Sequence, residues 1–159
     1  MPTPLRQSLL NAAILSGRVI TAKDRDRILA ALAPCDPAWA IDAMVKSPIA
    51  GCQFRIPWGK RHPDSVHQFQ WLDAPGIIAE ATEHEPGIAA LKSLYFPVGR
   101  DPAGSPNPYF LRCASCNDPA LYQIYHDRIG PEGLLESRSI KRVLPDIAGL
   151  MPYLYTPYV

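Results

Sequence analysis

With 159 residues, 47% of them apolar, the chain has the size and composition of one globular domain that can build a core without metal or disulfide staples. A formal net charge of +1 excludes the strongly basic character that draws proteins to nucleic acids or anionic membranes. The 18 prolines favour many short elements and rigid loops over a helical bundle.

The opening, Met1 to Ser8, lacks the basic segment and clean apolar stretch of an export signal. The run Leu9 to Leu15 is broken by Asn11 and too short to span a bilayer. The cytoplasm is therefore the expected compartment, and there Cys35, Cys52, Cys113 and Cys116 are expected as thiols. Leu5, Leu9, Ala12/Ala13 and Ser16 sit at helical spacing, with Gly17 as a stop. Thr21 to Asp24 resembles a capping box, and Ile28, Leu29 and Leu32 continue as one apolar stripe up to Pro34. Asp36 as cap and Pro37 at the first helical position open another helix. Its buried face is Ala40, Ile41, Met44 and Val45, and Pro48 closes it.

The middle changes character. Cys52 to Ile56 alternates as a half-buried strand does. After the loop Pro57 to Asp64, Val66 to Leu72 predicts a strand with His67, Phe69 and Trp71 on one face. Asp73 leads into a helix over roughly 77–85, ended by Pro86-Gly87. Leu94 to Val98 is extended but contains Pro97, which reads as an edge or strand end. A turn-rich loop from Gly99 to Pro108 follows, then a short strand, Tyr109 to Arg112. Ala120 to His126 is the strongest strand, with Leu121, Gln123 and Tyr125 on one face and Tyr122, Ile124 and His126 on the other. Ile147, Leu150, Met151 and Leu154 predict a closing amphipathic helix from Pro145, although Pro152 would kink or end it.

Catalytic and metal-binding signals are weak. No phosphate-binding glycine loop, GxSxG or HExxH is present, so no cofactor is expected. Cys113-Ala-Ser-Cys116 has ligand spacing but no second close pair, so a structural zinc is not expected. Neighbours in Glu83-His84-Glu85 point in different directions along a helix. Tyr125-His126-Asp127 invites a base-and-orienter reading, but adjacent strand residues project to opposite faces.

Charge is more informative. From His62 to Leu91 there is no Lys or Arg, while Asp64, Asp73, Glu80, Glu83 and Glu85 all fall there. Trp71 lies in the same stretch and Trp58 just before it. Negative charge steers encounter and aromatic side chains anchor, so these seven residues form the candidate partner-binding set for a basic protein. The competing interpretation is a solvated helix face beside ordinary core aromatics.

Five segments stand out between residues 48 and 154: Pro48-Ile-Ala-Gly51, Leu94-Tyr-Phe-Pro-Val-Gly99 with Asp101 and Gly104, Pro108-Tyr-Phe-Leu111, Pro119 to Asp127 and Pro145 to Leu154. Together they resemble the SUKH superfamily of Smi/Knr-like domains. Val98 stands where Ile is usual, and Ser105-Pro-Asn-Pro108 replaces the common Gly-Asp pair. The resemblance implies a single α+β domain over residues 1–159: a helical part over 1–47, then a central mixed, largely antiparallel sheet and closing helix over 48–154. It also implies a bacterial immunity protein that neutralises a toxin, often a nuclease, from a type VI or contact-dependent system, with no catalytic residues to carry over. The alternatives are a cytoplasmic regulatory or scaffold protein of the same fold, or an enzyme using the Cys and His groups.

Overall fold

The computed structural model describes residues 15–156. The helix expected from Leu5 falls almost wholly outside the described residues. Past it, Arg18 pairs with Ala50 in an antiparallel bridge.

The first helix, α1 (Ala22–Leu32), starts where Thr21 Oγ1 accepts from the Asp24 amide at 3.0 Å, and it buries Ile28 and Leu32. The second, α2 (Ala38–Lys46), is anchored by Asp36, whose Oδ1 accepts from the Ala38 amide at 3.0 Å. Pro37 is the cap residue here, not the first helical one. Trp39, Ala40, Ile41, Ala43 and Met44 are buried, and Val45 only half so. Asp73 caps α3 (Ala74–Thr82), which therefore starts three residues before the expected position. A short helix the sequence did not announce, α4 (Gly87–Lys92), follows at once. Gly87 is required there, because a Cβ would stand 1.7 Å from the Glu80 carbonyl oxygen.

The strands are β1 (Gln53–Pro57), β2 (Val66–Trp71), β3 (Tyr95–Arg100), β4 (Tyr109–Arg112), β5 (Leu121–Ile124), β6 (Ile140–Leu144) and β7 (Leu154–Tyr155). They form one sheet of seven strands in the order β6-β5-β4-β3-β2-β1-β7. The chain is thus an α+β domain around a central sheet, as expected, and every strand pairing is antiparallel. The first six strands are a meander, and β7 closes against the free side of β1.

Strand alternation splits the core between the two faces. One face carries Phe54, Phe69, Trp71, Phe96, Tyr109 and Leu121, packed with side chains of α1, α2 and α3. The other carries Tyr95, Phe110 and Ile124, covered by Ala90 of α4 and by Ile129 and Leu135 of the β5–β6 connection. Phe69 lies against Gly99, where any Cβ would come within 1.9 Å of its ring.

Four expectations are corrected. Tyr95–Arg100 is the central strand, not an edge: β2 pairs with it only at Gly99 and Arg100, so no neighbouring strand runs beside Pro97 on that side, and the β3–β4 register shifts just after it. The strand from Ala120 stops at Ile124, and residues 126–128 turn as a 3-10 helix. The closing helix is replaced by two 3-10 turns, Ile147–Gly149 and Met151–Tyr153, and then β7. Asp146 caps the first of these turns through the Ala148 amide, and Pro152 has no N–H of its own to donate back along an α-helix.

The fourth concerns cysteine. Cys35 and Cys113 form a disulfide with Cα atoms 5.3 Å apart, joining the α1–α2 connection to the end of β4 across 78 residues. Two residues with no sequence signal between them are brought together by packing of that connection on the sheet. A bridge closing so long a loop stabilises the fold by about 4 kcal/mol in the chain-entropy picture. Cys52 and Cys116 remain thiols. Among the described residues no helix is long and apolar enough to cross a membrane.

Candidate functional site

The helix-covered face of the sheet turns polar at one end. Alternation along β2 places His67 on the face of Phe69 and Trp71, and His67 is only 3% exposed. The β1–β2 loop turns back over it. The Trp58 amide donates to the Ser65 carbonyl at 3.0 Å, closing this loop. Trp58 then stacks on His67 with ring centroids 5.0 Å apart and planes 14° apart. Lys141 of β6 brings its Nζ to 3.3 Å from the centroid of the same indole. Trp58 is nevertheless 41% exposed.

Burial lowers the His67 pKa to about 4, helped by the charge of Lys141 and opposed by a hydrogen bond with Gln123. Its imidazole is therefore neutral at pH 7. Burial also holds Lys141 below the ordinary lysine value. The Tyr109 phenol is pushed well up, first by burial and then by Asp101 and Tyr125.

Trp58 and His67 form one wall of a cleft of about 200 Å³, with Asp101, Asn107, Tyr109 and Tyr125 among its other lining residues. Two bonds to Asn107 shape it: Gln123 Nε2 donates to the Asn107 carbonyl at 3.1 Å, and the His126 amide donates to Asn107 Oδ1 at 3.0 Å. Ser105 also lines a second cleft of about 250 Å³ with Glu80, His84, Glu85 and Arg100. The loop from Asp101 to Pro108 thus stands between the two. The first cleft offers aromatic faces, neutral hydrogen-bonding groups and one carboxylate, a set suited to receiving a protruding side chain.

No protein-family model, curated protein or solved structure matches the chain.

The seven candidate residues do not form one patch. Trp58 and Asp64 lie together on the exposed β1–β2 loop. Trp71 is not a surface residue: it is 1% exposed and its Nε1 lies 3.3 Å from Met44 Sδ, because alternation turns it into the core with Phe69. Asp73 accepts from the Gly76 amide at 2.9 Å as the α3 cap and stands 3.7 Å from Arg18. Glu80 is half-buried in the second cleft, and burial raises its pKa. Glu83 ends α3, over a third groove it shares with Asp24 and Arg27. Glu85 accepts from the Ala89 amide at 3.2 Å in α4.

The remaining His and Cys groups singled out in the sequence are placed as follows. His126 Nδ1 lies 2.9 Å from Asn107 Oδ1, so Asn107 is its partner. Among the described residues no three His, Cys, Asp or Glu side chains converge as metal ligands would. Cys113 is held by Cys35. The residues that sequence reasoning missed are Lys141, Asp101, Asn107 and Tyr109. Gln123 left a trace, as a polar residue alternating into the face of Leu121; Lys141 left none, since its strand was not foreseen.

Proposed function

We propose that the chain is an immunity protein that binds a cognate secreted bacterial toxin stoichiometrically and occludes it, the role its resemblance to SUKH domains implies. One observation carries the reading: Trp58 is exposed yet held in place by His67 and Lys141 at the mouth of a polar cleft. An aromatic side chain already fixed loses little freedom on binding, and such residues dominate binding hot spots. Asp101 lines the first cleft and Glu80 and Glu85 the second, which suits a basic partner, a nuclease among them. Neither nucleic acid nor membrane is a direct partner in this reading. The Cys35–Cys113 bridge favours encounter in an oxidising compartment over the cytoplasm, because such bridges persist there.

The test is co-expression with the product of the adjacent gene. The reading expects a 1:1 complex on gel filtration and protection of the host from that product. Absence of both would leave the regulatory or scaffold role of the same fold in its place.

A further inference from the structure

The cleft beside Trp58 lies where the sheet splits. The Leu72 amide donates to the Val98 carbonyl at 2.8 Å and Gln70 stands opposite Arg100, so the next pair of this ladder would set Gln68 against Pro102. Proline has no N–H to give, and β3 ends at Arg100. On its other side β2 stays in register with β1 back to Val66. Backbone groups of strand residues two apart face the same way, so the Gln68 carbonyl turns toward the gap that β3 leaves. Gln68 lines the cleft, and among the described residues no amide donates to its carbonyl.

Two further acceptors meet it there. Asp101 is the one formal charge in the lining at pH 7, since His67 is neutral. Its Oδ1 accepts from the Ala103 amide at 2.8 Å, and among the described residues no cation pairs with the carboxylate. Lys141 is held on the Trp58 indole instead. Tyr109 is 1% exposed, its ring packed edge-on against Phe69 and His67. Its hydroxyl makes no hydrogen bond among the described residues, and the charge of Asp101 is felt at the phenol. A buried hydroxyl without a partner is costly unless a ligand supplies one.

We propose that this cleft receives one arginine side chain of the protein partner, its guanidinium held by the Asp101 carboxylate, the Tyr109 hydroxyl and the Gln68 carbonyl. The inference rests on the immunity reading above and names the group that reading requires of the partner. A volume of about 200 Å³ falls short of the roughly 300–1,000 Å³ of small-molecule sites and fits a single side chain. The three groups are acceptors of different kinds, which suits a planar fork of five donors. The aromatic lining from Trp58 and Tyr125 favours the weakly hydrated guanidinium over the strongly hydrated lysine ammonium.

The probe is N-acetyl-arginine amide, titrated into the isotope-labelled full chain and followed by NMR at the Trp58 indole and the Gln68 amide. Saturable shifts are expected at both. The uncharged isostere N-acetyl-citrulline amide should give none, and N-acetyl-lysine amide should bind severalfold more weakly. Asp101→Asn keeps an oxygen for the Ala103 amide, yet should weaken the arginine probe about tenfold or more. Tyr109→Phe removes only the hydroxyl and should weaken it severalfold. No saturable shift, equal binding of the citrulline or lysine probe, or unchanged affinity in Asp101→Asn overturns the arginine receptor. A complex with the adjacent gene's product that keeps wild-type affinity in both variants also overturns it and leaves the immunity reading standing. If wild type forms no such complex, the immunity reading fails, and the arginine probe alone decides for or against the cleft.

Discussion

Trp58 lies flat on His67, an exposed indole covering a buried imidazole, with centroids 5.0 Å apart. The contact couples the surface to the core: the exposed indole rests on a buried histidine that is neutral at pH 7.

Acid should therefore weaken the fold through His67. Its pKa falls from the ordinary 6.5 to about 4 on folding, so the unfolded chain takes the proton first as pH drops. The stability contributed by the neutral ring is full above about pH 6.5 and is lost progressively down to about pH 4. The loss is on the order of 2–3 kcal/mol. Urea midpoints at pH 7 and pH 4.5 should differ less in His67→Gln than in wild type. An equal difference in both would assign the acid sensitivity to other groups.

Trp58→Ala should leave the fold intact and speed dissociation of the partner, at a cost of about 2 kcal/mol or more, roughly thirtyfold in affinity. Asp64→Lys and Glu83→Lys, both at exposed positions, should instead slow association and reduce its dependence on salt. Surface plasmon resonance separates the two effects. Trp71→Ala should behave differently again, destabilising the core by about 3–5 kcal/mol. Unchanged rates in the Trp58 and charge variants would move the interface to the Gly99–Pro108 loop.

Leu121 and Ile124 lie on opposite faces of β5, and both are fully buried, one in each core cluster. Leu121→Ala and Ile124→Ala should each cost about 2–5 kcal/mol. Chemical denaturation of the two variants measures this directly. A negligible shift in the midpoint for Ile124→Ala would mean that the cover from Ile129, Leu135 and Ala90 does not pack as described.

Gly99→Ala should destabilise by about 1–3 kcal/mol, since the new methyl would meet the Phe69 ring at 1.9 Å. Phe69→Leu in the same background should recover part of that loss by removing the obstructing ring atoms. Thermal melts of the single and double variants test the pairing. If Phe69→Leu costs the same in both backgrounds, the two positions are independent and the close approach is not the cause.

The local chemistry of the chain settled much of its architecture. Thr21, Asp36 and Asp73 accept from amides two or three residues on at the starts of their helices, so the existence of these helices was legible without any knowledge of the fold, although α3 was expected three residues later and Pro37 rather than Asp36 is the cap of α2. The aromatic face of β2 and the two faces of β5 follow from the alternation of a strand, which is equally local. What depended on distant residues was not legible. Pro97 reads as an edge residue until β2 is seen to end before reaching it. Cys113 reads as half of a Cys-x-x-Cys pair until packing sets Cys35 beside it. The acidic run from Asp64 to Glu85 is continuous along the chain but divided in space between a loop, a cap, two grooves and the start of α4. Trp58 and His67 are nine positions apart, yet their stack exists because the β1–β2 loop folds back over β2. Lys141 reaches that stack from the sixth strand, whose place in the sheet only the tertiary structure decided, because strand order rests on pairings between residues far apart in sequence.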